Sequence, residues 1–157
     1  MTLRDLLAVF LLEEANFDIM HWNSRGKKFD KMHALAEEWG ERCDKHKDMV
    51  AEMAMRCSMK PIHYGEAIDI LKSPDVGVSF RVLTSNNEFE WDNFIKEAQF
   101  ICSSICQSIA LVLNSEDIKK PENVGIKATL EGVYEEWDLD YRYKNPHRVA
   151  SNGETEE

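Results

Sequence analysis

The sequence is poor in turn-forming residues, with 7 glycines and 4 prolines among 157 residues. All-β proteins need many tight turns, so this scarcity argues against a β-sandwich or a β-barrel. Long apolar runs are also missing, since the stretch from Leu6 to Leu12 is far shorter than the roughly 20 residues that span a bilayer. The N-terminal residues match a secretory signal poorly. We therefore expect one soluble, cytoplasmic domain without a membrane span.

Cysteine is scarce as well, and none of the four cysteines forms the CxxC pair typical of a zinc site. Cys102 and Cys106 are four residues apart, which would place them on one face of a helix. Because the chain lacks secretion signals, we expect reduced, buried thiols in preference to a disulfide framework.

Basic residues are outnumbered, with 19 Lys and Arg against 29 Asp and Glu and a net charge of −10. This charge repels nucleic acid phosphates and disfavours general DNA binding. An acidic protein could gather cations, but many soluble proteins are equally acidic. Charge alone therefore identifies no function.

Four stretches carry apolar residues at helical spacing, and they cover residues 2–24, 29–57, 89–114 and 124–143. The first begins with Thr2 and Asp5, a helix-start pattern, and Gly26 follows it as a stop signal. Phe29 opens the apolar stripe of the second stretch. Only about four residues separate these two stretches, which predicts an antiparallel pair of helices.

Residues 58–88 form a long crossover in this interpretation, interrupted by Pro61 and Pro74, with a short helix at Ala67–Lys72. Residues 115–123 are predicted to be a loop. Four helices with one long connection after the second indicate an all-α, ferritin-like four-helix bundle over residues 1–144. The polar, acidic residues 145–157 are predicted to be a disordered tail.

The second helix carries His33, Glu37, Asp48 and Glu52, all of residue types that ligate iron. At about 100° per residue, the four side chains fall within roughly 100° of one another. Glu37 and Asp48 are nevertheless roughly 16 Å apart along the axis. Metal–ligand bonds are only about 2 Å long, so this helix carries two separate half-sites.

His21 extends the first half-site, because the short connection places it at a depth similar to that of His33. Asp18, three residues earlier, shares its face. If two copies of the second helix pack antiparallel, each first half-site meets the partner's second half-site. The spacing therefore predicts two identical composite sites per two-fold dimer.

The motif residues resemble those of the Dps family (DNA-binding protein from starved cells), the mini-ferritins. They are the run His21-Trp22-Asn23-Ser24-Arg25-Gly26 together with Phe29, His33, Glu37, Asp48, Ala51 and Glu52. The match covers residues 6–56 well and the later helices only in pattern. It implies a dodecameric shell that oxidises Fe(II) to Fe(III) with hydrogen peroxide or dioxygen and stores the ferric mineral, protecting against iron and peroxide.

The resemblance also implies roles for individual residues. The implied ferroxidase ligands are His21, His33 and Glu37 of one subunit and Asp48 and Glu52 of its two-fold mate. Trp22 is implied as an electron donor beside the site. The family usually has Asp where this chain has Glu37, and the lysine-rich N-terminal arm of DNA-binding members is missing here. The segment Lys60–Glu88 also diverges, which could alter assembly of the shell.

Other interpretations remain open from the sequence. His21 and His33 could be ordinary interface or core histidines, and the three carboxylates could be solvated surface charges. Trp22 and Trp39 could be packing residues. The alternative function is a ferritin-like assembly module that has lost turnover and only binds metal or forms a structural oligomer. A further hypothesis is a nucleoid protein.

Several other candidates are not predicted to be functional. His46, His63 and His147 have no acidic partner at matching spacing. Glu13 and Glu14 invite a second di-iron site within one subunit, but such sites use Glu-x-x-His pairs, and the sequence contains none.

Overall fold

A computed structural model describes residues 1–142. Its helices are α1 (Leu3–Trp22), α2 (Phe29–Arg56), α3 (Tyr64–Lys72), α4 (Trp91–Leu113), α5 (Glu116–Lys119) and α6 (Val124–Arg142). The long helices α1, α2, α4 and α6 form the predicted four-helix bundle, and the crossover between α2 and α4 carries α3. No strand occurs in these residues, so the all-α prediction is confirmed. The predicted tail 145–157 lies outside the described residues.

Helix α1 is enclosed on nearly every side. Its start is fixed by a capping box in which the Thr2 hydroxyl accepts from the Asp5 amide and the Asp5 carboxylate accepts from the Thr2 amide. The consecutive residues 6–10 are all buried, which a helix can achieve only when neighbours cover several faces. α1 packs against α2, α3 and α4. The short helix α3 is therefore a cover for α1 and not an isolated surface element.

The turn between α1 and α2 is tied to the end of the crossover. The side-chain amide of Asn23 donates to the carbonyls of Ser85 and Asn87 at 3.0 and 2.9 Å. The Arg25 amide donates to the Phe89 carbonyl at 2.8 Å, and Gly26 takes the left-handed φ of +97° that completes the turn. These bonds hold the C-terminal end of α1 in place, and His21 lies in that last turn.

Two local predictions differ from the structure. Phe29 is 40% exposed, because it is the first residue of α2 and lies at the end of the bundle, where its ring contacts His33 at 5.3 Å between centroids. Residues 115–123 are not a plain loop but contain α5 and a 3₁₀ turn at Pro121–Asn123, since Ile118 is buried and anchors them.

The remaining broad predictions concern thiols and membranes. Among residues 1–142 none of the four cysteines forms a disulfide, and Cys43, Cys102 and Cys106 are buried, as expected for core thiols. Within residues 1–142, none of the helices combines the length and the apolar character needed to cross a bilayer.

Candidate metal centre

His21 and His33 bring their imidazoles together across the α1–α2 pair. Their Nε2 atoms are 2.9 Å apart, joined by a hydrogen bond in which one ring donates and the other accepts. Two nitrogens bound at right angles to one metal through bonds of about 2.1 Å would be about 3.0 Å apart. The observed separation therefore suits a pair of adjacent ligands on one ion. The Nδ1 atom of His33 is buried and has no hydrogen-bond partner among residues 1–142.

Glu37 completes a group of three ligand-type side chains. Its carboxylate and the two imidazoles offer ligand atoms that all lie within 4.8 Å of one another. Glu37 stands one helical turn after His33 on α2, so both point towards the end of α1 that carries His21. The two histidines are partly buried while Glu37 is exposed, which leaves the group open to solvent on one side.

Asp48 and Glu52 do not join this group within one chain. Both are on α2 between Glu37 and its C-terminal end, and both side chains are exposed. Neither makes a hydrogen bond or an ion pair with another residue in the described part of the chain. The helix is continuous from Phe29 to Arg56, so the roughly 16 Å rise between Glu37 and Asp48 applies to it in full.

A groove of about 300 Å³ runs between α1 and α2 beside His21. It is lined by one imidazole and five carboxylates, those of Glu14, Asp18, His21, Glu37, Glu41 and Asp44. Two of these carboxylates share one cation, because the Lys47 ammonium pairs with Glu14 at 3.0 Å and with Asp44 at 2.8 Å. Burial raises the pKa of Asp18, and the nearby His21 and Lys47 counteract this only in part.

The tryptophans and the other histidines occupy different settings. Trp22 is 66% exposed, next to His21 in sequence, whereas Trp39 is buried and donates to Asp140 at 3.1 Å. His46 is buried in the bundle and contacts Glu136 of α6 at 2.7 Å, an acidic partner that spacing along one helix did not reveal. His63 caps α3, accepting from the Gly65 amide. His147 lies outside the described residues.

The bundle interior contains a polar cluster that sequence reasoning did not identify as such. Glu13 is buried on α1, and its carboxyl accepts from the side-chain amide of Asn16 at 2.6 Å. Arg81 of the crossover pairs with Glu97 of α4 at 3.2 Å nearby. Whether Glu13 and Glu14 take part in a second di-iron site stays a prediction from the sequence.

Comparison with known proteins shows which solved structures share this fold. No protein-family model matches the sequence, and a comparison with curated proteins found no match. Among solved structures, the chain is similar to Dps92 from Deinococcus radiodurans, with 17% identity and a TM-score of 0.68 over 89% of this chain and 81% of that one. It is also similar to antigen TpF1 from Treponema pallidum, with 14% identity and a TM-score of 0.64 over 89% of this chain and 88% of that one. The fold is therefore the ferritin-like fold of Dps structures.

Proposed function

We propose that this protein is an iron-oxidising and iron-storing mini-ferritin whose ferroxidase sites form between two copies of the chain. The observation that carries the proposal is the convergence of His21, His33 and Glu37, with ligand atoms within 4.8 Å, at one end of the paired helices α1 and α2. A ferritin-like bundle supplies the setting in which such a group acts on iron.

The second half of the site would come from a second copy. Asp48 and Glu52 are exposed, unpaired within the described residues and on the same helix as the first half-site. Antiparallel pairing of two α2 helices would bring these carboxylates to the partner's histidines, and symmetry would create two equal sites. Imidazole and carboxylate together make a mixed nitrogen and oxygen donor set that suits Fe(II).

The proposed chemistry uses iron as the substrate. Two Fe(II) ions each give up one electron, and hydrogen peroxide takes both electrons and two protons to form two water molecules. Paired ions matter because reduction of peroxide by a single electron would release hydroxyl radical. Dioxygen is the alternative oxidant. Trp22, exposed beside His21, is proposed as an auxiliary electron donor.

The proposed assembly is a two-fold dimer within a dodecameric shell, located in the cytoplasm. DNA binding is not part of the proposal, because a net charge of −10 disfavours contact with phosphates.

Complementation between two inactive variants tests the composite site. His33→Ala removes the first half-site and Asp48→Ala removes the second, so each homodimer should oxidise Fe(II) no faster than buffer. A mixed dimer contains one site with both defects and one intact site. In shells assembled from equal amounts of the two variants, pairing is random, so about a quarter of the sites should be intact and about a quarter of the wild-type rate should return, measured by ferric absorbance.

A substitution far from the proposed site serves as the control for the complementation experiment. Asp69→Ala changes the same residue type on the exposed surface of α3 and should leave oxidation unchanged. Mixed shells with no activity would show that both half-sites act within one chain. Wild-type protein of confirmed assembly that oxidises iron no faster than buffer would instead support the assembly module that has lost turnover.

A further inference from the structure

We propose that two copies of the chain pair tightly through the outward face of α2 only when divalent cations occupy the composite sites, so that metal switches assembly on. The inference rests on the proposed function, because it adds regulation to the same sites. It concerns the charge of one helix face, which decides whether two copies can approach each other without a cation.

The outward face of α2 is acidic along its whole length. At about 100° per residue, ten residues of α2 fall within one stripe about 100° wide, on the side opposite the buried residues of this helix. All ten are exposed or half-buried, so the rest of the described chain leaves the stripe uncovered. None of them is Lys or Arg, and six are carboxylates: Asp30, Glu37, Glu41, Asp44, Asp48 and Glu52.

Cations at the edges neutralise this stripe only in part. On the side of α1, the Lys47 ammonium is shared between Glu14 at 3.0 Å and Asp44 at 2.8 Å. Beyond the other edge, the nearest cations are Lys45 and Arg56, and both are exposed to solvent. Six carboxylates therefore face three flanking cations, one of which is also paired with a carboxylate of α1.

Antiparallel pairing of two α2 helices sets like charges against each other at the two-fold axis. In the register that joins Glu37 to Asp48 of the second copy, Glu41 meets Asp44 of the second copy, because both pairs are equally spaced about the same point of the helix. Four carboxylates then gather around the axis, in the middle of the contact. Like charges that are brought together and partly desolvated oppose association.

The same register lets the helices approach closely, which strengthens the repulsion. It places Ala34 opposite Ala51 of the second copy, and both residues belong to the outward stripe. Small side chains at a helix contact favour the short end of the usual interaxial range of about 8–10 Å. Two copies without bound cations should therefore associate weakly.

A divalent cation in each composite site reverses this balance. The ligand atoms of His21, His33 and Glu37 lie within 4.8 Å of one another, and the second copy would add Asp48 and Glu52. Each ion brings two positive charges and bonds to both copies, whereas a single chain offers half a site. A ligand that binds the pair better than the single chain favours the pair by mass action. At about 100 times its dissociation constant, the cation lowers the apparent Kd of dimerisation by about 100-fold for each site.

Sedimentation velocity of chelator-treated protein tests the switch, with Co(II) as the probe because it accepts the same nitrogen and oxygen ligands as Fe(II). The midpoint is the protein concentration at which half of the chains are associated. At about 0.01 M salt, where charges act over roughly 30 Å, the metal-free wild type should have a high midpoint. Co(II) should lower it by at least about 100-fold. His33→Ala keeps every carboxylate of the stripe but loses a ligand, so it should lose most of this response.

Neutralising the centre of the stripe, without changing a proposed ligand, tests the repulsion itself. Glu41→Gln combined with Asp44→Asn keeps the shapes of the side chains and should lower the metal-free midpoint by at least about tenfold. Glu131→Gln combined with Glu135→Gln removes the same number of charges from the exposed surface of α6 and should leave the midpoint unchanged. Circular dichroism verifies that each variant is folded.

Each contrary result overturns the inference. A wild-type midpoint that Co(II) leaves unchanged would show that assembly does not depend on cations. An equal gain from the substitutions on α6 would show that net charge, and not the face of α2, opposes association. Association is measured without oxidation, so the two proposals can fail separately. A protein that assembles with Co(II) but oxidises Fe(II) no faster than buffer would refute the ferroxidase proposal alone, whereas one that oxidises Fe(II) and associates equally well without cations would refute the switch alone.

Discussion

Glu13 is a carboxyl group enclosed in the interior of the bundle, and its ionisation should control the pH dependence of stability. It is 1% exposed. The pKa of Glu13 is raised from 4.5 to about 8, mainly because the carboxyl group is buried. The Glu97 carboxylate raises the pKa further, whereas the hydrogen bond from Asn16 and the charge of Arg81 lower it. Folded protein therefore keeps Glu13 protonated at neutral pH, whereas the unfolded chain releases that proton above about pH 4.5.

The sign and the size of the effect follow from proton linkage. Between about pH 4.5 and about pH 8 the unfolded state binds fewer protons, so the free energy of unfolding falls as pH rises. The slope is about 1.4 kcal/mol per pH unit. From about pH 5.5 to about pH 8 the loss should be about 3 kcal/mol, and above the folded pKa it should level off.

Glu13→Gln isolates this contribution, because glutamine has no proton to lose and keeps an oxygen that can accept from Asn16. Urea unfolding at one fixed protein concentration gives the free energy for both proteins at each pH. The variant should gain about 3 kcal/mol over the wild type between about pH 5.5 and about pH 8. Other groups titrate in both proteins, so their effects cancel in the difference. A constant difference across this range would refute the assignment of a buried, protonated Glu13.

Two further predictions concern buried hydrogen bonds. Asp140→Ala should lower the free energy of unfolding in urea by about 3 kcal/mol, because Asp140 accepts hydrogen bonds from Trp39 at 3.1 Å and from Arg42. Asp69→Ala on the surface should change this free energy little. Equal effects of the two substitutions would contradict the prediction. Asn16→Leu should speed hydrogen exchange at the Leu83 amide about tenfold, since the Asn16 oxygen accepts from it at 3.0 Å. The Phe94 amide, bonded within the first turn of α4, serves as the internal reference.

Helix positions followed from the sequence because apolar spacing and end signals are local properties. Thr2 and Asp5 marked the start of α1, and the capping box occurs at these residues. Leu6, Phe10 and Phe17 recur near helical spacing in the first stretch, and all three are fully buried. The apolar pattern did not predict the exposure of Phe29. Periodicity along one helix shows on which face a side chain lies, but it does not show whether a neighbouring helix extends far enough to cover that side chain.

Half of the candidate site was predictable for the same reason. His33 and Glu37 are one turn apart on α2, and the short connection to α1 placed His21 beside them, as the structure has it. Contacts between distant helices were not accessible. The pairing of His46 with Glu136 and the proximity of Glu13 to Glu97 depend on how α6 and α4 lie against α1 and α2, which no single-helix spacing encodes.

The continuity of α2 makes the distance between the two proposed half-sites a fixed dimension of the protein. Inserting one residue between Glu37 and Asp48 would turn Asp48 and Glu52 by about 100° relative to the histidine end. Inserting two full turns would restore the face but lengthen the separation by about 10 Å. In the proposed two-fold dimer, either change would disable both proposed composite sites at once. This segment should tolerate changes of residue type far better than changes of length.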